Sequence, residues 1–599
     1  MLKKIASPLI ISCLLFLTVS AQTFKIKGTQ FLLNGKPFQI MSGEMSFQRI
    51  PYRYWKDRLH KIKAMGLNTV ATYVFWNAVE PEPGKWNFNG NNNIRKFVEI
   101  AEDMGLLVLV SPGPYVSAEW SFGGLPPWLL STPDIKVRCM NNTFMTAVKK
   151  YINHLADQIR DLQITEGGPI IMLQIENEYG SYGNDKSYLR NLKALWQQAG
   201  INIPFYTANG ASRAMLEAGT LPGLIIGLDP AINEKQFDIA YKFEPNVPVF
   251  CSEYYSGGLT HWGEKWTTVG IPKILKDLHW LMNNKKSFNI YVVDGGTNFG
   301  WTAGANMGKT YEPAITSYDY DAPINEMGQP TQKYFAIRKL FEGYLPIGKN
   351  LAQLPPSLPV ITIPVIKLNE TASIFDNLPK PVSSVQPEPM EFYNQYHGFI
   401  LYETKLIGPH SGNLQITYLH DYANIYIDEK YIGNIDRSKG QDSIELPKTK
   451  KPAKELEILV EAMGRINYGQ YLIDRKGITD RVTLNGITLM NWNVYNLPMN
   501  SSFISNLKFH NKMKINKPGI FFKGTFNLKK LGDTYLDMSK WDKGIVWVNG
   551  HNLGRYWNIG PQQRLFLPAT FLKKGKNKVI VFDLHKTKAA TIEGVVSLK

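Results

Sequence analysis

Residues 167–180, Gly-Gly-Pro-Ile-Ile-Met-Leu-Gln-Ile-Glu-Asn-Glu-Tyr-Gly, run from a turn through an apolar strand into a cluster of acids. A short apolar run bounded by Gly and Pro is typical of a buried strand in a parallel sheet. Two carboxylates, an amide and a phenol follow at the point where this strand ends. In a barrel of parallel strands, the active site lies at the carboxyl ends of the strands. The stretch therefore predicts a buried parallel strand with a functional site at its end.

Similar short apolar runs occur on both sides of this stretch and alternate with helical patterns. Between the first two runs, Trp55, Leu59 and Ile62 recur at helical spacing and Gly66 supplies a stop. Alternating strands and helices predict an α/β fold, here a (β/α)₈ TIM barrel over residues 23–346. A doubly wound open sheet is the alternative, but no strand is followed by a Gly-rich phosphate loop. The predicted strands are Ile40–Ser46, Thr69–Trp76, Leu106–Ser111, Ile170–Ile175, Phe205–Thr207, Leu224–Leu228, Val247–Ser252 and Ile290–Val293.

The composition changes after residue 350, where prolines become frequent. They predict a linker or irregular wrap over residues 347–390. The rest of the chain reads as β structure, and we expect two all-β sandwich (jelly-roll-like) domains at residues 391–500 and 501–599. The prolines are Pro355, Pro356, Pro359, Pro364, Pro379, Pro381, Pro387 and Pro389.

A short internal repeat supports this pair of sandwiches. Ile425–Asp428, followed by Ile432–Gly433, resembles Val546–Asn549, followed by Leu553–Gly554, at one constant offset. A strand, a polar turn and a second strand are typical of a β-hairpin.

Aromatic residues of the second repeat allow two interpretations. Trp547, Tyr556 and Trp557 could form a platform on which sugars stack, or they could belong to the sandwich core. We favour the core, because most large aromatic side chains of a sandwich are buried.

The first residues have the pattern of a cleaved secretory signal over residues 1–22. Two lysines precede the apolar run Ile5–Val19, and the small residues Ser20 and Ala21 follow it. Cys13 offers a lipidation site, but the apolar run continues past it, which favours a cleaved signal over a lipoprotein. The short dilysine start and the few cysteines favour export to a bacterial periplasm or cell envelope. No later stretch is long and apolar enough to span a bilayer.

Composition excludes several classes of protein. The chain has 599 residues and is 44% hydrophobic, enough for a large core. Its formal net charge of +17 is spread out without basic runs, so we expect no nucleic-acid partner. Only two cysteines follow the signal, Cys139 and Cys251, and two are too few for a disulfide framework.

Motifs for a metal or for a catalytic serine are also missing from the sequence. No His/Cys cluster has metal-ligand spacing and no Gly-x-Ser-x-Gly turn occurs, so we expect neither a metal, nor another cofactor, nor a catalytic serine.

A second apolar strand also ends in an acid between aromatic residues. It is Val247–Tyr255, which contains Glu253, and it is the seventh predicted strand, whereas Glu178 follows the fourth. Two carboxylates on opposite sides of a barrel mouth fit glycoside hydrolysis, which needs one acid and one nucleophile or base. Glu176 and Glu178 lie two residues apart and face the same way on a strand, so the pattern does not separate them.

Other predicted strand ends combine aromatic with polar residues. Such a combination fits a sugar, whose C–H face is apolar and whose hydroxyl groups need hydrogen-bond partners. The strand ends concerned are Glu44, Tyr73–Asn77, Pro114–Trp120, Gly295–Phe299 and Tyr318–Asp321.

The run from Gly167 to Tyr179 resembles the signature of glycoside hydrolase family 35, the β-galactosidases. Phe47–Pro51, Pro112–Leu129 and Ser252–Trp262 are also similar to that family, and so are Gly464–Gly469 and Gly550–Trp557 downstream. The resemblance implies that Glu178 is the acid/base and Glu253 the nucleophile. It also implies a set of substrate-binding residues for the terminal galactose. These are Tyr73, Ala118, Glu119, Asn177 and Tyr320, with Trp301 and Tyr318 close by.

Two positions depart from the family pattern: Val79 stands where many relatives have histidine, and Gly258 where some have tryptophan. We expect the chemistry to be kept and the preferred aglycone to differ. The expected activity is that of a retaining exo-β-galactosidase that removes terminal non-reducing β-D-galactose by double displacement. An exo-β-glucosaminidase, another exo-β-glycosidase and a non-catalytic glycan-binding protein are the alternatives. The linkage cleaved and the oligomeric state stay open.

Overall fold

The computed structural model describes residues 22–448, 451–511, 515 and 517–599. The signal predicted for residues 1–22 lies, apart from Gln22, outside this range. None of the described helices combines the length and the apolar character that crossing a membrane requires.

The predicted TIM barrel is confirmed: within the described residues, eight parallel strands close on themselves. Every residue of the strand Ile170–Gln174 is buried, as expected where helices cover the outside of a barrel and side chains fill the inside. The strands are Met41–Met45, Thr69–Tyr73, Leu107–Ser111, Ile170–Gln174, Phe205–Asn209, Ile225–Leu228, Val249–Tyr255 and Phe288–Asp294.

An α-helix follows each barrel strand and packs on the outside, and the shortest of them has seven residues. The helix Trp55–Met65 ends at Gly66, whose φ of 108° only glycine adopts readily, as the sequence pattern predicts. The helices are Trp55–Met65, Ile94–Asp103, Asn142–Ile159, Lys186–Gln198, Arg213–Gly219, Glu234–Phe243, Ile271–Asn283 and Gln332–Glu342.

The first sandwich consists of two main antiparallel sheets around an apolar core. Met390, Ile400, Ile425 and Ile458 lie in this core. One sheet has the strand order Val382–Ser384, Trp492–Leu497, Gly398–Lys405, Glu455–Ala462, Tyr422–Ile427 and Lys430–Asp436. The other has the order Ser443–Leu446, Gly412–Ile416, Val482–Leu484 and Ile487–Thr488.

The second sandwich has the same two-sheet architecture. Its core includes Phe522, Trp541 and Val546. One sheet has the order Leu368–Ser373, Ile520–Leu528, Gly575–Asp583, Lys543–Val548 and His551–Trp557. The other has the order Ile363–Ile366, Ile592–Val595, Thr534–Asp537 and Arg564–Leu567.

The prediction that residues 347–390 are irregular is wrong for part of that segment. Ile363–Ile366 and Leu368–Ser373 are strands of the second sandwich, and Val382–Ser384 is a strand of the first. Each lies at the edge of its sheet. Proline is tolerated at a sheet edge, so Pro364 does not break the strand that contains it.

The internal repeat forms two equivalent hairpins. Tyr422–Ile427 pairs with Lys430–Asp436, and Lys543–Val548 pairs with His551–Trp557. Both turn residues of each hairpin have positive φ, at 45° and 65° in the first and 51° and 89° in the second. Positive φ at both central residues is typical of the two-residue hairpin turns whose backbone twist matches the twist of the flanking strands.

The interpretation of the aromatic residues of the second repeat as core is confirmed. Trp547, Tyr556 and Trp557 are all buried.

The two sandwiches and the loops of the barrel share one further apolar cluster. Tyr426 and Trp547, which are equivalent in the repeat, both belong to it, together with Trp262, Tyr311 and Ile315 from the barrel domain. A buried ion pair reinforces the contact between the sandwiches. Glu461 of the first sandwich lies 2.7 Å from Lys543 Nζ and 3.1 Å from Arg555 Nε of the second. The barrel and the sandwiches are therefore packed together and not joined by a free linker.

We expect a fragment that ends at residue 350 to be insoluble, because removal of the sandwiches exposes Trp262, Tyr311 and Ile315 to water. Size-exclusion chromatography of the soluble fraction, beside the full chain expressed in parallel, provides the measurement. A soluble and fully active barrel fragment would contradict the packing described above.

Candidate active site

A pocket of about 340 Å³ opens at the carboxyl ends of the barrel strands. Both predicted catalytic acids lie in its wall, Glu178 after the fourth strand and Glu253 within the seventh. The other lining residues are Ser117, Ala118, Glu119, Asn177, Tyr255, Gly258, Leu259, Tyr291, Asn306, Tyr320 and Tyr468.

The two acids of the Glu-Asn-Glu run have different surroundings. The carboxylate of Glu176 is 1% exposed and accepts two hydrogen bonds of 2.8 Å from the guanidinium of Arg138. The hydroxyl of Tyr188 donates to it as well, at 3.1 Å. Glu178 faces the pocket, and no described side chain donates a hydrogen bond to its carboxyl group. Glu176 thus holds the strand end in place, which leaves Glu178 to contact a ligand.

Two phenols hold the carboxyl group of Glu253. The hydroxyl of Tyr73 donates a short hydrogen bond to Oε1, and that of Tyr255 donates one of 3.0 Å to Oε2. Hydrogen bonds from neutral donors stabilise the ionised form of a carboxyl group. Tyr320, which also lines the pocket, forms no hydrogen bond to Glu253 in the described structure; it packs edge-on against Tyr291.

Burial raises the pKa of both catalytic acids. For Glu178, burial and then the negative charge of Glu253 raise the pKa to about 8. For Glu253, burial raises the pKa to about 7, while the hydrogen bonds from Tyr73 and Tyr255 oppose that rise. At neutral pH the pair therefore holds a proton, and the geometry favours its location on Glu178.

Two further carboxyl groups lie close to Glu253 on the inside of the barrel. Burial, followed by the charge of Glu253, raises the pKa of Glu44 to about 8. The same two causes raise the pKa of Asp229 well above its usual value, although Ser252 donates a hydrogen bond of 2.5 Å to it. Near neutral pH, Glu44 therefore adds little negative charge to the site, and the raised pKa of Asp229 acts in the same direction.

A third acid of the pocket is held by an aromatic network. The hydroxyl of Tyr318 donates a short hydrogen bond to Glu119, and the hydroxyls of Tyr318 and Tyr291 lie 2.8 Å apart. The guanidinium of Arg49 lies 3.7 Å from the centre of the Tyr318 ring and donates to the carbonyl of Ala118. Glu119 is thus fixed in the wall with an oxygen available to accept hydroxyl groups.

Asn177 has a fixed amide orientation. Gln174 Nε2 donates a 2.8 Å hydrogen bond to its Oδ1, so the amide nitrogen is left to donate to a ligand. Asn177 lies in the pocket wall together with the two catalytic acids.

Strained backbone is concentrated around the pocket. Five lining residues other than glycine have positive φ, a conformation that costs side chains other than glycine about 1 kcal/mol or more each. The five are Ser117, Ala118, Glu119, Glu178 and Tyr320.

The structure places most, but not all, of the predicted substrate-binding residues at the pocket. Ala118, Glu119, Asn177 and Tyr320 line it. Tyr73 and Tyr318 lie behind the wall and donate hydrogen bonds to the lining residues Glu253 and Glu119, respectively.

The prediction that Trp301 lies close to the sugar is not supported. The Trp301 ring stacks on His397 at 5.6 Å, with the guanidinium of Arg555 5.0 Å from its centre, so residues of both sandwiches occupy its faces.

The two positions that depart from the family pattern have different surroundings. Val79 is fully buried and does not reach the pocket. Gly258 does line the pocket, and a side chain at that position would meet Thr267.

Sequence reasoning missed part of the pocket. Tyr255 and Leu259 lie in the family-like run 252–262, but no role was predicted for either. Tyr291 lies in a predicted strand, Asn306 in no predicted element, and Tyr468 comes from the first sandwich. The hydroxyl of Tyr468 donates a 2.9 Å hydrogen bond to Ser181, just after the acid/base segment. A signal for Tyr468 existed in the run 464–469, but nothing in a sequence places that run at the barrel mouth.

Among the described residues, one group of three carboxylates lies close enough to hold a metal ion: Glu403, Glu455 and Glu457. It lies on a sheet of the first sandwich, away from the pocket. Lys517 Nζ already lies 2.6 Å from Glu457, and Asn493 donates to Glu403 at 3.0 Å. Protein groups therefore already bind two of these three acids.

Comparison with known proteins agrees with this geometry. The model of the family described as glycosyl hydrolases family 35 matches residues 30–344. Models for a β-galactosidase first all-beta domain and a β-galactosidase galactose-binding domain match residues 387–498 and 519–577. A β-galactosidase of Xanthomonas manihotis is 40% identical over 95% of this chain and 96% of its own length. One of Bos taurus is 37% identical over 94% of this chain and 91% of its own length.

The barrel with two acids at its mouth is that of a glycoside hydrolase, and the chain belongs to glycosyl hydrolase family 35. Its activity is that of the β-galactosidases: it acts on β-galactosides.

The contact between Tyr255 and Glu253 predicts the effect of Tyr255→Phe. Loss of this hydrogen bond to a charged acceptor costs about 1.5–3 kcal/mol, so kcat/KM should fall roughly 10- to 100-fold at neutral pH. The pKa of Glu253 should rise further, which moves the acidic limb of the pH profile to higher pH. Measurement of kcat/KM for an aryl β-galactoside against pH tests both effects.

Tyr254→Phe is the matched control, because Tyr254 is the neighbouring tyrosine of the same strand but donates at 3.2 Å to Asp277, outside the pocket. It should leave the pH profile unchanged. Equal losses in the two variants would show that Tyr255 acts on folding and not on Glu253.

The two raised pKa values also predict a bell-shaped profile of kcat/KM with apparent pKa values near 7 and 8. Activity falls as the pH drops through the lower value, because the nucleophile becomes protonated. It falls as the pH rises through the upper value, because the acid loses its proton. With an aryl substrate whose leaving group needs no proton, Glu178→Ala should lack the alkaline limb. An unchanged alkaline limb in this variant would mean that another group donates the proton.

Proposed function

We propose that the protein is a retaining exo-β-galactosidase with Glu178 as acid/base and Glu253 as nucleophile. The observation that carries this proposal is the asymmetry of the two carboxyl groups. Glu253 accepts two phenol hydrogen bonds that stabilise its charge, whereas Glu178 accepts none from a described side chain and has the higher pKa. An ionised nucleophile facing a protonated acid is the arrangement that double displacement requires.

In the first step, a carboxylate oxygen of Glu253 attacks the anomeric carbon and the bond to the aglycone oxygen breaks. Glu178 gives its proton to that oxygen, so the aglycone leaves as an alcohol. In the second step, Glu178, now ionised, takes a proton from water. The water oxygen attacks the anomeric carbon, releases β-galactose and regenerates the carboxylate of Glu253.

The shape of the pocket supports the removal of terminal residues. Its volume of about 340 Å³ lies near the lower end of the range of about 300–1,000 Å³ for small-molecule sites, which suits one sugar unit. Glu119 and Tyr320 line it, and the amide of Asn177 and the carboxyl group of Glu119 offer a donor and an acceptor to hydroxyl groups. The names of the relatives favour galactose over glucosamine as this unit.

We also infer that the protein is exported to a bacterial periplasm or cell envelope. The secretory pattern of residues 1–22 supports this inference. N-terminal sequencing of protein purified from an envelope fraction tests it, with a start near Gln22 or Thr23 as the expected result.

The assigned roles predict opposite products when azide rescues the two acid variants. Glu178→Ala should still form the glycosyl-enzyme from an activated aryl β-galactoside, and azide should capture it as the β-galactosyl azide. Glu253→Ala lacks the nucleophile and should lose activity on every substrate, so direct azide attack should give the α-azide. Proton NMR of the azide product reads the anomeric configuration.

Glu176→Gln is the control, because Glu176 is bound by Arg138 outside the pocket. It should lower stability without azide rescue. Exchanged configurations would exchange the roles of Glu178 and Glu253, and azide rescue of Glu176→Gln would show that the acid/base is Glu176.

A further inference from the structure

A second, larger cavity of about 650 Å³ lies between the first sandwich and an extension of the barrel. Three apolar or aromatic side chains in its wall are unusually accessible: Tyr418 is 68% exposed, Tyr471 52% and Ile473 39%. The polar residues Gln441, Asp442 and Gln470 also line it. We call this cavity the sandwich groove.

The sandwich groove and the catalytic pocket share a wall. Asn306 lines the pocket and the next residue, Met307, lines the groove. Successive side chains of a strand face opposite sides, so the strand Ala305–Met307 separates the two cavities. A second segment also lies between the two cavities, because Ile466 lines the groove and Tyr468 lines the pocket.

The rim of this wall carries no side chain at Gly469. Gly469 and Gln470 follow Tyr468, and a side chain added at Gly469 would meet no atom within 4 Å. Tyr468 contacts Ser181 beside the acid/base Glu178, and the aglycone leaves on the side of that residue. A chain that extends from the scissile bond past Tyr468 can therefore cross the rim and enter the sandwich groove.

The chemistry of the sandwich groove suits sugars. The rings of Tyr418 and Tyr471 offer flat apolar faces to the C–H faces of sugar rings, and the polar side chains offer partners to hydroxyl groups. Tyr418 is held with a φ of 55°, which is uncommon for a large side chain, and its ring still remains mostly in solvent. Exposed apolar surface rimmed by polar residues often marks a ligand-binding groove.

We propose that the sandwich groove binds the sugar units on the reducing-end side of a galactose-terminated glycan, beyond the unit attached to the scissile bond. This inference rests on the proposed function. It makes oligosaccharides of about three or more units the preferred substrate class, and it assigns Tyr418 and Tyr471 as residues that set chain-length preference without touching the reacting atoms.

The test compares kcat/KM for an aryl β-galactoside with that for β-galactosyl di-, tri- and tetrasaccharides. In the wild type, kcat/KM should rise from the di- to the tetrasaccharide. Tyr418→Ala and Tyr471→Ala should each lower the value for the tetrasaccharide about fivefold through KM, since each removes one stacking face. Both should leave the aryl galactoside and the disaccharide unchanged.

Phe335→Ala provides the control, because Phe335 is 50% exposed on a barrel helix and does not line the groove. Equal losses on all substrates, or no loss on any, would overturn the assignment of the groove. If the wild type does not hydrolyse the aryl galactoside, the proposed function itself fails. A wild type that cleaves the aryl galactoside without any gain from chain length refutes the groove alone.

Discussion

Two buried carboxyl groups share one pocket, and no described residue forms an ion pair with either of them. Placing two negative charges there without a cation is unfavourable, because burial removes water and each charge repels the other. The pair resolves this conflict by holding a proton. The hydroxyls of Tyr73 and Tyr255 decide which member is ionised, because both donate to Glu253. The division into nucleophile and acid/base thus follows from the hydrogen bonds that these two phenols donate to Glu253 and not to Glu178.

Glu176 shows how different the outcome is when a cation is supplied. It lies two residues from Glu178, yet the guanidinium of Arg138 binds both of its oxygens, and Tyr115 stacks below that guanidinium at 3.6 Å. Removal of one partner from such a buried pair costs about 3–5 kcal/mol, so Arg138 and Glu176 fix the loop that carries Glu178. One acid of the run thus serves structure and the next serves chemistry.

The sequence predicted those features that depend on local pattern. The barrel strands alternate with helices, and the repeated hairpins follow from polar turn residues such as Asp428 and Asn549. Features that depend on long-range contact were missed or wrong. Tyr468 reaches the pocket from nearly 300 residues beyond Glu178, Trp301 is covered by both sandwiches, and the edge strand with Pro364 pairs with the end of the chain. Arg138 binds Glu176 and thereby distinguishes its role from that of Glu178. It belongs to a loop whose sequence has neither a helical nor a strand pattern.

The central claim is that Glu253 attacks the sugar while Glu178 transfers protons. Incubation with a 2-deoxy-2-fluoro-β-galactosyl fluoride tests it most directly, because the 2-fluoro group slows both steps and the fluoride leaving group keeps the first one possible, so the covalent intermediate accumulates. Peptide mass spectrometry of the inactivated protein should then find the fluorosugar on Glu253, within the peptide that contains Tyr254 and Tyr255. A label on Glu178, or time-independent inhibition with no label at all, would contradict the account.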